Sequence, residues 1–228
     1  MKKAILTGLI VTPFLMVGCN SSTTANSPTS TSTTTSAKLT GTVPGTFIEA
    51  YCDNGTYAST TSVQNGTNKH PFSLTVPTNT PCRIVMTTNQ NNPAQRVITP
   101  IKINGKNALT LTGDTDMGYA NIPATYAEAN DANGDHVQDS AVDVAPASLS
   151  GRTLDDSAVN NPFDKNHNGK LDTLEDTNGN HTPDGWEDTN NNGKADIFDD
   201  SNNNGKPDSV ERFEGNQENN MNNNKTNM

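Results

Sequence analysis

Four consecutive stretches of twelve residues in the last third of the chain carry oxygen-bearing side chains at the same places. They begin at Asp164, Asp176, Asp188 and Asp200, and read DKNHNGKLDTLE, DTNGNHTPDGWE, DTNNNGKADIFD and DSNNNGKPDSVE. Each has Asp at position 1, Asn at 3 and 5, Asp at 9 and Glu or Asp at 12. Short side chains at alternate positions let one tight loop aim several oxygens at one centre. The hard cation that takes six to eight oxygens at roughly 2.3–2.6 Å is calcium. The first stretch offers Asp164, Asn166, Asn168, the backbone carbonyl of Lys170, Asp172 and Glu175. The second offers Asp176, Asn178, Asn180, the carbonyl of Thr182, Asp184 and Glu187. The third offers Asp188, Asn190, Asn192, the carbonyl of Lys194, Asp196 and Asp199. The fourth offers Asp200, Asn202, Asn204, the carbonyl of Lys206, Asp208 and Glu211. One such match arises easily by chance in a chain rich in Asn and Asp, but four in register do not.

Position 6 needs a left-handed backbone, which suits Gly169, Gly193 and Gly205. The second stretch has His181 there, a residue that tolerates this conformation at some cost. Its place in the pattern accounts for it without a transition metal. Asn in place of Asp at positions 3 and 5 leaves about three carboxylates per loop, and ligand charge sets affinity. The expectation is weak binding, on the order of 10⁻⁴ M or weaker, which suits a structural ion outside the cytosol. An outlying fifth stretch, DANGDHVQD, offers Asp131, Asn133, Asp135 and Asp139, with His136 in the glycine place. Its position 12 is Val142, which closes nothing, so it is either an incomplete site finished by a residue such as Asp143 or a plain acidic loop.

The ligand order is that of an EF-hand loop. Glu175 is followed at once by Asp176, Glu187 by Asp188 and Asp199 by Asp200, so no residues remain for flanking helices. The period also differs from that of nine-residue glycine-rich calcium repeats. The array Asp164–Glu211 instead resembles bacterial thrombospondin type 3 repeats, whose unit runs D-x-D-x-D-G-x-x-D-x-x-[DE], with Asp176–Glu187 close to it. The resemblance implies a calcium-lined coil with little regular secondary structure. Position 11 is apolar throughout, at Leu174, Trp186, Phe198 and Val210. Such a stripe either packs the repeats on each other or on the rest of the protein, or forms a ridge for a partner. The segment has almost no other apolar residues, so bound metal must stand in for a core.

Charge is divided in the same sense. The chain carries a formal net charge of −10, but from Glu128 onward it has 21 acidic and 7 basic residues. That half repels itself and excludes direct binding of nucleic acid or anionic lipid. Residues 1–19 read MKKAILTGLIVTPFLMVGC: a basic start, an apolar stretch shorter than a membrane span, then Gly18-Cys19. This resembles a bacterial lipoprotein signal, which implies cleavage before Cys19, lipid on its sulfur and, with Asn20 following, sorting to the outer membrane. The alternative is an ordinary secretory signal. Residues 19–37 form a Ser/Thr-rich tether expected to be disordered, and the Asn-rich tail over 212–228 is read in the same way.

The elements that must position the loops precede them. Residues 38–123 hold most of the β-branched and aromatic residues, with predicted strands at Leu39–Val43, Thr46–Cys52, Pro71–Val76, Cys82–Thr87, Val97–Ile103 and Ala108–Thr112. The fold class is therefore mainly β: a small β-sandwich followed, after an acidic linker over 124–163, by the irregular calcium-lined array over 164–211. The order GTV, PFSLTVP, CRIVM resembles carboxypeptidase regulatory-like, or prealbumin-like, domains. Strand parity puts Ile48, Ala50 and Cys52 on one face, and Cys82, Ile84 and Met86 on another. With Cys19 lipidated, the two remaining cysteines of an exported protein pair as a Cys52–Cys82 disulfide, or else stay as buried thiols.

No nucleophile elbow, zinc-protease helix, phosphate loop or Cys/His zinc pattern occurs. The carboxylates are absorbed as calcium ligands. The expected function is that of a non-enzymatic, calcium-binding cell-envelope protein on a lipid anchor, on the periplasmic or surface face of the outer membrane. Calcium holds its structure, and it acts on an envelope or extracellular partner as an adhesion, spacer or binding module. The alternative is a β-sandwich that binds glycan or peptide on a calcium-stiffened spacer.

Overall fold

The computed structural model describes residues 35–145, 152–155 and 161–214. The signal, Cys19, the Ser/Thr tether and the tail beyond 214 lie outside the described residues. Among the described residues, ten strands form two mixed sheets that face each other as in a β-sandwich. The first sheet has the order β4 (His70–Pro77), β1 (Ser36–Val43), β8 (Thr115–Tyr119). β1 runs antiparallel to β4 and parallel to β8. The register slips at Gly41, where an added Cβ would lie 2.8 Å from the Gly118 carbonyl oxygen and 2.9 Å from the Phe72 ring. The two backbones approach closely there, and only glycine fits.

The second sheet runs β10 (Arg152–Asp155), β7 (Ala108–Leu111), β5 (Pro81–Thr88), β2 (Phe47–Cys52), β3 (Tyr57–Thr61). β6 (Val97–Ile103) pairs with β5 along Ile84–Thr88, and β9 (Val142–Val144) adds to β6 in parallel. Four strands, β3, β8, β9 and β10, were not expected. β3 (YASTT) and β8 (TDMGY) are too polar to stand out, and β9 has only three residues. β9 and β10 come from the stretch read as an acidic linker, so that stretch contributes to the sheet.

Leu39, Phe72, Leu74 and Met117 from the first sheet meet Ile48, Ala50, Ile84, Met86, Ile101 and Leu109 from the second in one buried core. Cys52 and Cys82 lie opposite each other in this core and are joined as a disulfide. All six residues of β2 are buried, so its other face is covered too. That face carries Phe47, Glu49 and Tyr51. With Val85, Ile98 and Tyr57 it packs against Phe163, Leu171, Leu174, Trp186, Ile197 and Val210. The segment 164–211 thus lies on the outer face of the second sheet and does not project from it. Each large apolar side chain buried there contributes about 2 kcal/mol.

Candidate metal centre

Within 164–214 the backbone turns are short. Three 3₁₀ turns stand at Asp172–Leu174, Asp184–Trp186 and Asp196–Phe198, and a helix, α1 (Asp208–Glu214), takes the fourth place. The helix runs three residues into the stretch read as tail. Each element starts at position 9 of its stretch. The N–H there donates across to the preceding stretch: Asp184 to the Glu175 carbonyl, Asp196 to Glu187 and Asp208 to Asp199, each at 2.6 Å. An added Cβ on Gly185 would lie 2.8 Å from Thr173 Cβ, so the first and second turns stack with nothing to spare.

The loops share one hydrogen-bond plan. The position-1 carboxylate accepts the backbone N–H of position 6 in every loop, and that of position 5 as well in the second, third and fourth. Asp188 takes Asn192 and Gly193, both at 2.9 Å, and Asp200 takes Asn204 and Gly205 at 3.1 and 2.8 Å. Asp176 takes Asn180 and His181, and Asp164 takes Gly169. The position-12 carboxylate closes onto the amides of positions 3 and 5. Asn166 and Asn168 donate to Glu175, Asn178 and Asn180 to Glu187, Asn190 and Asn192 to Asp199, and Asn202 and Asn204 to Glu211. Side chains from positions 3, 5 and 12 are therefore brought together in every loop.

The position-9 carboxylates are turned elsewhere. Asp172, Asp184, Asp196 and Asp208 accept from position 2, at Lys165, Thr177, Thr189 and Ser201. The bonds from Ser201 hold Asp208 below the usual carboxylate range. Burial raises Asp172 above it, against the opposing Lys165 N–H. The position-7 residues donate their N–H to the position-5 amide oxygen at Lys170, Thr182, Lys194 and Lys206. Two of the lysine side chains find partners instead of facing water. Lys170 Nζ lies 3.3 Å from Asp135, and Lys206 Nζ donates to the Gly55 carbonyl at 2.8 Å.

Position 6 has positive φ in all four loops: Gly169, His181, Gly193 and Gly205. So does position 4, at His167, Gly179, Asn191 and Asn203, a second left-handed residue per loop. Asn, Gly and His are the types that take it with least strain. The fifth stretch repeats this backbone with Gly134 and His136. Asp131 accepts from Gly134, Asp135 and His136, and Asp139 accepts from Ala132. Nothing closes it from position 12, however. Lys170 sits on Asp135, and Asp143, on β9, accepts from Gly105 in the turn after β6. His181 and His136 each engage a backbone carbonyl through Nδ1, at Asn133 and Arg96.

Among the described residues no three His, Cys, Asp or Glu side chains gather as a metal group. Each loop supplies two carboxylates and two amides. The amides point Nδ2 at the closing carboxylate and their oxygens accept backbone N–H groups; a cation would be held by the carboxylates and by amide oxygens turned toward it, a set that suits a hard cation and not a thiolate- or imidazole-seeking metal. The first loop also contains a buried orphan. Asp164 is 1% exposed, and its Oδ2 meets Arg83 at 3.1 Å, but Oδ1 has no hydrogen-bond partner. A buried carboxylate oxygen without a partner is costly, and a cation would relieve it.

Three buried side chains escaped the sequence reading: Glu49, Arg83 and Arg96. Glu49 accepts from Tyr51 and Tyr57 at 2.8 and 2.9 Å beneath the first turn, where Thr173 donates to the Tyr51 hydroxyl. The signal was the strand FIEAYC, apolar at both parities, which marks a strand covered on both faces. The stripe differs from expectation at one place. Ile197 is buried and Phe198 is 36% exposed, its ring at the edge of the cluster, 5.2 Å from Phe47 and 5.4 Å from Trp186.

Comparison with family models, with curated proteins and with solved structures found no match for the chain.

Proposed function

We propose that this is a non-enzymatic, calcium-binding protein of the bacterial cell envelope, held by lipid on Cys19, in which calcium fastens the acidic array to the β-sandwich. The observation that carries the reading is the hydrogen-bond plan repeated loop after loop. The position-1 carboxylate is wrapped by backbone N–H groups, and the position-12 carboxylate is drawn onto the amides of positions 3 and 5. Calcium would be held by these groups and would supply the positive charge that a strongly acidic segment lacks. The buried oxygen of Asp164 supports the same reading. The packing of 164–211 on the second sheet favours an adhesion or binding module over a free spacer.

Trp186, the one tryptophan, reports on this directly. It is buried between Phe47 and Phe198, with the Arg96 guanidinium 4.5 Å from its ring centre. Removing calcium should loosen the loops, wet the indole and shift its emission to the red. Adding calcium should reverse this with a midpoint on the order of 10⁻⁴–10⁻³ M, and magnesium should act poorly because it demands stricter octahedral geometry. Glu187→Gln should weaken the response. An emission spectrum indifferent to calcium would remove the fastening role.

A further inference from the structure

The Arg96 guanidinium is an anomaly in this acidic molecule. Arg96 is 6% exposed, yet among the described residues no carboxylate lies within ion-pair distance of it. Its Nη2 makes one long bond, 3.5 Å, to the Gln90 carbonyl, it stacks on Trp186, and its Nε has no acceptor. Trp186 Nε1, 2% exposed, has none either. Two buried donors beside one another are thus left without an acceptor, and both line the same cleft between the loop that precedes β6 and the second and third repeats. Burial lowers the guanidinium pKa to about 10, so it keeps its charge at neutral pH.

The side of the cleft toward the third repeat encloses about 370 Å³, room for about one sugar ring. Its lining has cations at Arg96 and Lys194, the exposed ring of Phe198, the polar side chains of Gln90 and Asn91, and no carboxylate. On the other side, Glu187 and Asp188 also reach the cleft. Both are ligands in the calcium reading, so calcium would cancel their repulsion of an anion.

We propose that this cleft binds an acidic saccharide, its carboxylate on Arg96 and Lys194 and one ring face on Phe198. Arg matches a carboxylate in geometry, and an aromatic ring offers an apolar face to sugar C–H groups while amides meet hydroxyls. The site is shared between sandwich and array, so its calcium dependence rests on the proposed function, whereas its chemistry does not.

The test uses the full chain with calcium, titrated with methyl glucuronide, with the matched neutral methyl glucoside, and with acetate and inorganic phosphate. Binding is followed by Trp186 emission and by ligand NMR. The glucuronide should bind at millimolar or lower concentration, with the glucoside and the simple anions about tenfold weaker or more. Arg96→Met should lose at least about tenfold in glucuronide affinity. Lys194→Met and Phe198→Ser, at exposed positions, should each lose several-fold, and they decide the matter if the Arg96 variant fails to fold. Equal binding of the glucoside, equal binding of phosphate or acetate, no binding at tens of millimolar, or unaltered affinity in the folded variants would each overturn the proposal. Glucuronide binding through these residues in a protein that takes up no calcium would uphold the site and discard the calcium reading. Calcium uptake without glucuronide binding would do the reverse.

Discussion

Glu49 is the most exposing point at which to perturb the docked array. It is wholly buried on the outer face of β2, its Oε1 held by two tyrosine hydroxyls and its Oε2 without a partner. Desolvation raises its pKa from 4.5 to about 7, and the hydrogen bonds from Tyr51 and Tyr57 offset only part of that. Because the folded value lies above the unfolded one, the folded protein holds this proton more tightly. The stabilisation is complete below the unfolded pKa of 4.5 and is lost as pH rises through about 7. A span of that size corresponds to about 2–3 kcal/mol between pH 5 and pH 8. Glu49→Gln keeps an acceptor for the tyrosines and cannot ionise. In urea unfolding at saturating calcium, the stability of the variant relative to the wild type should therefore improve by about 2–3 kcal/mol from pH 5 to pH 8. Taking the difference between two proteins cancels the titration of the loop carboxylates. Parallel pH profiles would refute the reasoning and show that Glu49 does not carry a proton in the fold.

Replacing Cys52 and Cys82 together by Ser should cost about 3–4 kcal/mol, from the loop closed by a separation of 30 residues, read by denaturant midpoint. Unchanged stability would mean that the bond does not form in the exported protein. Cys19→Ala should release the chain from membranes or stop its processing, and a variant that still sediments with the outer membrane after a high-salt wash would refute the lipid anchor.

What the sequence made legible follows from simple periodicities. Alternation in IEAYC and CRIVM was enough to turn Ile48, Ala50 and Cys52, and Cys82, Ile84 and Met86, into the core, and the count of cysteines paired the two that remained; the register that sets them opposite each other is the structure's. Spacing alone brought positions 3, 5 and 12 of each loop together. The docking of the array was not legible, because it depends on the opposite parity of the same strands. Glu49 and Arg83 lie on that parity and are buried, Glu49 on Tyr51 and Tyr57 and Arg83 on Asp164. At position 9 a local bond competes for the carboxylate. An Asp that begins a turn has a backbone N–H seven residues upstream within reach, and in each loop that local bond takes the carboxylate. Phe198 exchanged places with Ile197 because a three-residue turn sets which neighbour points inward, and a period of twelve does not specify that.

Calcium calorimetry on the full chain tests the central claim most directly. The account predicts uptake of about four ions per chain at or below millimolar calcium, one for each of the four loops, and about three after Glu187→Gln. No heat of binding at millimolar calcium would contradict it.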